Sequence, residues 1–472
     1  MRKTKIVCTI GPACANHETL TAMCKAGMNV ARLNFSHGDH SDHLDNINLI
    51  KQVRKELGLP IAILLDTKGP EYRIGKFQNG SVMLKEGDTF TFTDKDIIGN
   101  ENIVSVSYKN LASELKIGST ILLNNGLITF EVIEIEGGDV VCKVIEGGKL
   151  SDRKSMSFPG VVLKQKYLSE QDKSDILFGI KNGIDFIACS FVSCKQDLID
   201  IKEFIENEGF DTKDIELIAK IENRAGVDNI DEICEECSGI MVARGDLGVE
   251  IPFVEVPAIQ KKLITKCRLL GKRVITATEM LESMIYNPRP TRAEISDVAN
   301  AVFDGTSAIM LSGETAAGKY PELTVSVMAK IAERAENSIE YDKLFRTYEF
   351  RINDLVDAIS HATCGMSIDI NASAIAACSL SGKTARMISR FRPPVDILGL
   401  TTNEKTWRKL ALSWGITPAL CEVYQSTDVL FFTAKNMSRD VFGLKSGDRV
   451  VVTGGITNGS VGNTNIIKVE TI

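Results

Sequence analysis

Short apolar runs closed by polar residues recur along this chain. They begin near Lys5, Asn29, Ile61, Asp185, Ile215, Gly239, Arg273 and Ala308. Runs of about four to seven apolar residues followed by turn signals suit buried parallel strands. Helical periodicity fills the intervals, for example over 17–26 before Gly27, over 41–57 before Gly58 and over 172–182. A glycine just past the last periodic residue is a helix stop. Eight such units predict an α/β fold, a (β/α)₈ barrel. An open doubly wound sheet is the alternative, but no GxGxxG follows the first run.

The rhythm breaks between Glu71 and Lys166, where the alternation has period two. SVMLKEGDTFTFT, NIVSVS and STILLNNGLITFEVIEIEGG read as strands joined by Gly-containing turns, with Asn125-Gly126 as a hairpin signal. This predicts an all-β domain inserted after the third strand, above the face where barrel sites form, and placed to act as a lid. A separate α/β unit begins near Asn353. The expected domains are therefore 1–70 with 167–345 as the barrel, 71–166 as the insertion and 346–472 as the C-terminal unit.

The polar ends of the runs carry the chemistry. The fifth ends Lys220-Ile-Glu222 and the sixth Arg244-Gly245-Asp246. Residues two apart on a strand share a face, so Lys220 and Glu222 point together. If Asp246 comes beside Glu222, the two carboxylates suit one Mg²⁺ or Mn²⁺. The plainer reading is a structural pair at a barrel rim. The other ends offer Arg32, Asn34 and Ser36 on one expected face, then Asp66, Thr67, Thr278, Ser312 and Glu314. Together they describe a site for a phosphorylated acid, with cations to neutralise it. In the C-terminal unit, Ser379-Leu-Ser381-Gly382-Lys383-Thr384 runs into a helix, and free N–H groups there make a phosphate cradle. It is not a Walker A loop, and helix capping alone would use one of these hydroxyls.

Composition narrows the classes. The net charge of −7 argues against broad nucleic-acid binding, though a local basic pocket remains compatible with it. No apolar run is long enough to span a bilayer, and the N-terminus does not read as a signal peptide. The 12 cysteines are scattered, as expected of buried thiols in a reducing cytoplasm. Cys234-x-x-Cys237 lacks a partner motif and reads as structural. His37, His40 and His43 are spaced so that at most two converge, and they read as solvated or capping residues.

Taken together, KIVCTIGPA, MNVARLNFSHG, LDTKGPE, LIAKIEN, MVARGDLGVE, NPRPTRAEISDVANAV and IMLSGETA resemble the pyruvate kinase family, in order and over essentially the whole chain. The resemblance is to bacterial-type, K⁺-dependent members without an extra C-terminal domain. It implies phosphoryl transfer from phosphoenolpyruvate to ADP, giving pyruvate and ATP, in a cytoplasmic homotetramer. By that likeness Glu222 and Asp246 hold Mg²⁺ or Mn²⁺, and Lys220 and Arg32 serve the phosphoryl group. Gly245, Asp246 and Thr278 bind the substrate carboxylate, and Thr278 and Ser312 join the proton route. Asn34, Ser36, Asp66 and Thr67 match K⁺ ligands, and Glu71 matches the K⁺-requiring members. Asn34, His37, Arg73 and Lys154 match the nucleotide side. Ser379, Ser381, Gly382, Lys383 and Thr384, with the GGITNGSVG loop, match the site of a phosphorylated allosteric effector. Asn124-Asn125 stands where Asp-Asp is usual, Glu279 where Gln is usual, and Ser193 where Arg is usual. Two other classes remain: a metal-dependent barrel lyase handling pyruvate enolate, and a non-catalytic phosphometabolite sensor.

Overall fold

The structure is a computed structural model that describes residues 1–161, 163–455 and 464–472. Eight parallel strands close into a barrel: Lys5–Thr9, Val30–Asn34, Ala62–Asp66, Phe186–Cys189, Glu216–Ile221, Gly239–Ala243, Arg273–Ala277 and Ala308–Leu311. Each pairs with its sequence neighbours, and the last returns to the first through Lys5↔Ala308. Every run picked out by its apolar pattern is a barrel strand. Alternate side chains, among them Val7, Leu64, Phe186, Ile218, Met241, Ile275 and Met310, fill the interior. Their neighbours face outward and pack under the helices. Helix ends follow the local signals: Asp39 and Asp42 form a capping box at the start of His40–Leu57, and Gly58 closes it at φ 63°.

The insertion lies between strand Ala62–Asp66 and helix Glu170–Lys181. It is β-rich, built on a seven-stranded sheet, with one short helix at Leu111–Glu114. Its core packs the rings of Phe90, Phe92 and Phe130 edge-to-face or tilted, with centroids 5.1–5.8 Å apart. The turn between Thr120–Leu123 and Ile128–Glu136 puts Asn124, Asn125 and Gly126 at φ 54°, 57° and 81°. Asn and Gly are the residues that best tolerate this left-handed backbone.

The C-terminal unit has a five-stranded sheet in the order Ile416–Leu420, Asp396–Thr401, Ala374–Cys378, Arg449–Gly455 and Thr464–Thr471, the last antiparallel. Residues 456–462 of the GGITNGSVG loop lie outside the described residues. This unit is fused to the barrel floor. Leu412 enters the barrel interior, and Arg408 Nε donates to the buried Asp185 carboxylate at 2.8 Å. Lys5 Nζ donates to the Ile416 carbonyl at 2.7 Å. Among the described residues no helix is long and apolar enough to cross a membrane.

Two local expectations are corrected. Strand Val30–Asn34 ends before Ser36, which sits exposed in the following turn, so alternation does not carry it onto the face of Arg32. His37 is exposed, in keeping with the solvated reading, but the other two histidines pack rather than cap or stand free in solvent. His43 is buried and stacks on Phe35 at 3.8 Å, while His40 stacks on Phe178 and bonds Asp175 at 2.7 Å. Capping falls to Asp39. Cys234 and Cys237 are buried thiols, with Cys234 Sγ 3.6 Å from Cys267 Sγ.

Candidate active site

The carboxyl ends of the barrel strands converge on Lys220. Its amine lies 3.0 Å from Asp66 Oδ1, 3.0 Å from Glu222 Oε1 and 2.6 Å from Ser190 Oγ. Asp66 Oδ2 in turn accepts Arg32 Nε at 2.6 Å, and Arg32 Nη1 donates to Thr9 Oγ1 at 2.8 Å. All four charged groups are buried. Burial alone would lower the Lys220 pKa, but Asp66 and Glu222 outweigh it and hold the amine protonated, above its usual value. Burial pushes Asp66 up, and Arg32 and Lys220 more than reverse that, so it stays ionised.

Glu222 is different. Burial pushes its carboxyl up to about 7; Lys220 opposes this, while Asp246 and Asp66 add to it. The pocket thus holds more carboxylate than its two cations balance. Glu222 Oε2 accepts the Phe191 N–H at 2.6 Å, but no hydrogen bond closes on its buried Oε1. A buried carboxylate oxygen that has the Lys220 charge beside it but no hydrogen bond, near a second, exposed carboxylate on the next strand end, fits a hard divalent cation. Glu222 and Asp246 are the residues that would hold it.

The backbone around this centre is strained where it must turn side chains inward. Thr278 has φ 70° and Glu279 φ 53°, and positive φ is costly for a β-branched residue. Arg244 holds this strained turn. Its Nη2 donates to the Thr278 carbonyl at 2.6 Å, and its Nη1 pairs with Asp297 at 2.7 Å. Thr278 Oγ1 thereby accepts the Gly245 N–H at 2.8 Å, placing the Thr278 hydroxyl beside the Gly245–Asp246 turn. Glu314 acts in support: its carboxylate accepts the Ser312 N–H at 2.7 Å and the Leu281 N–H at 3.1 Å.

Asn34 and Asp66 are register partners on neighbouring strands, with Thr67 next along the chain. Asn34 Oδ1 accepts the Ser36 N–H, and the Thr67 carbonyl accepts Ser190 Oγ at 2.6 Å. Each of these residues offers an oxygen donor, the type that a hard cation takes. Arg73 stands apart from the Lys220 cluster. It pairs with Glu71 at 2.6 Å and donates to the Arg153 carbonyl at 2.7 Å, at the base of the insertion. Lys154 lies on the insertion and His37 is exposed in the turn after the second strand.

The insertion closes over the site. A cavity of about 620 Å³ lies between the two, lined by Asn125, Phe191, Asn223, Asp246 and Glu250 among others. Glu250 of the barrel faces Ser157 and Phe158 of the insertion across this cavity. A Cβ on Gly126 would stand 3.8 Å from Val249.

Sequence reasoning missed Ser190 and Phe191, and it placed Arg244 at a strand end without giving it a role. Ser190 follows its strand in the same way that Asp66-Thr67 follows the third run, so its position carried a signal. Phe191 acts through its N–H at φ 57°, and its side-chain type gives no hint of that.

The family profile "Pyruvate kinase, barrel domain" matches residues 1–325, and "Pyruvate kinase, alpha/beta domain" matches residues 357–470. The chain belongs to the pyruvate kinase family. It is 46% identical to a pyruvate kinase of Clostridium acetobutylicum, over the full length of both. It is 47% identical to one of Geobacillus stearothermophilus, covering all of this chain and 80% of that relative. A crystal structure of a pyruvate kinase from Cryptosporidium parvum superposes with a TM-score of 0.95 at 38% identity, covering 100% and 96% of the two chains. Membership in the pyruvate kinase family makes the chain a phosphotransferase, and the barrel, lid and C-terminal sheet are the architecture of that family.

Proposed function

We propose that the enzyme transfers the phosphoryl group of phosphoenolpyruvate to ADP and protonates the resulting enolate to pyruvate. The observation that carries this reading is the buried Lys220–Asp66–Arg32 array beside Glu222 and Asp246. Phosphoryl transfer depends on positioning and charge neutralisation rather than covalent chemistry. In this reading Lys220 and Arg32 hold the phosphoryl oxygens, and burial makes their charges more effective than they would be in water. The Gly245–Asp246 backbone and the Thr278 hydroxyl orient the substrate carboxylate, with Arg244 fixing their geometry. Thr278 and Ser312 serve the proton route. A bound Mg²⁺ or Mn²⁺ supplies Lewis-acid neutralisation of the enolate. Asn34, His37, Arg73 and Lys154 serve the nucleotide, and the lid excludes water. Pyruvate formation from phosphoenolpyruvate with Mg²⁺ and K⁺, with and without ADP, tests the proposal. An ADP requirement separates the kinase from a lyase or a phosphometabolite sensor.

We also propose K⁺ at Asn34, Ser36, Asp66 and Thr67. The carboxylate of Glu71 leaves this edge of the site without a side-chain cation of its own at that position. Turnover should fall by at least about tenfold when tetramethylammonium replaces K⁺ and Na⁺, in keeping with the loss of one positioned charge. Full turnover in that buffer would refute the K⁺ assignment.

A phosphorylated effector at Ser379–Thr384 is proposed on the cradle's geometry. Gly382, at φ 73°, precedes helix Lys383–Arg390, and Lys383 N–H lies 3.4 Å from Ser381 Oγ. The Thr384 hydroxyl already bonds Thr464 at 2.6 Å, and Lys383 pairs with Asp354 at 3.2 Å, so the ligand would compete with both. Lys383→Ala should abolish activation by sugar phosphates and spare basal turnover; unchanged activation curves would sink the assignment. A homotetramer is proposed from exposed apolar side chains on both large units, Phe253, Val254 and Tyr286 on the barrel and Val429, Phe432 and Val469 on the C-terminal unit. Light scattering reads its mass. The twelve unpaired thiols suit a cytoplasmic enzyme, which cell fractionation checks.

A further inference from the structure

A second charged cluster lies at the barrel floor, away from the carboxyl ends of the strands. Helix Val256–Leu269 and strand Arg273–Ala277 meet the C-terminal helix Lys383–Arg390 there. Six cations surround one small cavity: Arg268, Lys272, Arg273, Arg386, Arg390 and Arg392. No carboxylate lines it. Among the described residues, the carboxylates paired with these cations are Glu216, which holds Arg273 and Arg386, and Asp357, which holds Arg390 at 3.0 Å. Six cations against two carboxylates leave a net four positive charges, and among the described residues Arg268, Lys272 and Arg392 pair with no carboxylate.

Arg268 and Arg392 carry most of that excess. Each is only 6% exposed, and neither forms an ion pair among the described residues. They converge at Gly305. Arg392 Nη2 donates to its carbonyl at 2.8 Å, and a Cβ added there would stand 3.3 Å from Arg268 Nη1. Each guanidinium lies over an aromatic face, Arg268 over Tyr348 at 4.2 Å and Arg392 over Trp414 at 4.4 Å. Stacking holds the planes and leaves the N–H edges free. Arg268 Nε and Nη2, Arg392 Nε and Nη1, and Arg390 Nε are buried without an acceptor. Burial, then the neighbouring Arg268 charge, pushes Arg392 down to about 9. The Glu336 carboxylate opposes that shift without forming an ion pair with Arg392, and two adjacent buried guanidiniums without an ion-paired acid are costly unless an anion joins them.

The space open to the centre of a water molecule is about 20 Å³. That admits one compact ion and excludes a sugar or a base. The hydroxyls of Ser307, Ser389 and Ser413 border the same space. Arginine forks with hydroxyls suit a tetrahedral oxyanion better than a spherical halide. We propose that this cavity binds a single inorganic phosphate, which ties the barrel floor to the C-terminal unit. The site lies at the carboxyl end of Lys383–Arg390, the end opposite the Ser381–Thr384 cradle.

The test uses the full chain, freed of phosphate and sulfate, and two readouts. Crystals soaked in arsenate should give an anomalous peak between Arg268 and Arg392. Inorganic phosphate should raise Tm by about 2 °C or more over chloride at equal ionic strength. The rise should persist in Lys383→Ala and vanish in Arg268→Met. Arg268→Met should itself melt higher than wild type without phosphate, because a repulsion is gone. Should that variant not fold, Arg392→Gln takes its place. No peak at this site, or an equal phosphate response in wild type and the arginine variant, overturns the proposal.

Discussion

Lys220→Met lowers the rate of pyruvate formation by about 10²–10³, the usual loss when one preorganised charge is removed from a transition state. Among the described residues the amine is the only group that touches Asp66, Glu222 and Ser190 at once, at 3.0, 3.0 and 2.6 Å. Methionine preserves the length of the side chain and its packing and removes the charge. The loss should therefore appear in kcat, with KM for ADP little changed, as expected of an interaction made in the transition state. Circular dichroism and the assembly mass should match the native enzyme. Turnover within about threefold of wild type would show that Lys220 is the structural rim pair that the sequence left as the plainer reading.

The second large effect is on stability, at the other end of the same strand. Glu216 opens strand Glu216–Ile221 and is held by Arg273 and by Arg386 of the C-terminal helix, the latter at 2.8 Å. Burial would push its carboxyl up, but Arg273, Arg386 and Lys409 outweigh that and hold it at about 2. Glu216→Gln leaves two guanidiniums facing each other beneath the barrel. Breaking a buried pair in this way destabilises by about 3–5 kcal/mol, which a lower denaturant midpoint would record. The sign of the pH dependence follows from the depressed pKa. The stabilisation is fully present above the ordinary carboxyl range, near 4.5, and is lost as the pH falls toward about 2. The native enzyme should lose this component between those values, and the variant should lack it. Equal midpoints at neutral pH, with matching acid limbs, would show that the interface does not depend on Glu216.

Both effects lie on one strand, and the sequence was informative about only one end of it. LIAKIEN announces Lys220 and Glu222 because a charged pair at the close of an apolar run has no packing reason to be there. Glu216 begins the run, where a carboxylate is an ordinary solvated residue. Its partners, Arg273 and Arg386, are 57 and 170 residues away. The same distinction separates Asp66 from Ser190. Asp66 stands in a recognisable strand-end motif, whereas Ser190 matters because Lys220 reaches it from the neighbouring strand on the rim.

Local pattern determined the barrel, the β-rich insertion and the C-terminal unit, because strand and helix periods and glycine stops act over a few residues. It also singled out the polar strand ends that the structure gathers on one rim, since parallel strands deliver their carboxyl ends to one face. Tertiary structure alone decided the rest. It turned Ser36 out of the strand face, packed His43 on Phe35, and paired Arg73 with Glu71 at the base of the insertion. It held Thr278 at positive φ through Arg244 and brought Arg268 to Arg392 across two domains. These outcomes depend on which distant groups share a desolvated space, and hydrogen bonds and charges there must be satisfied wherever the chain brings them together.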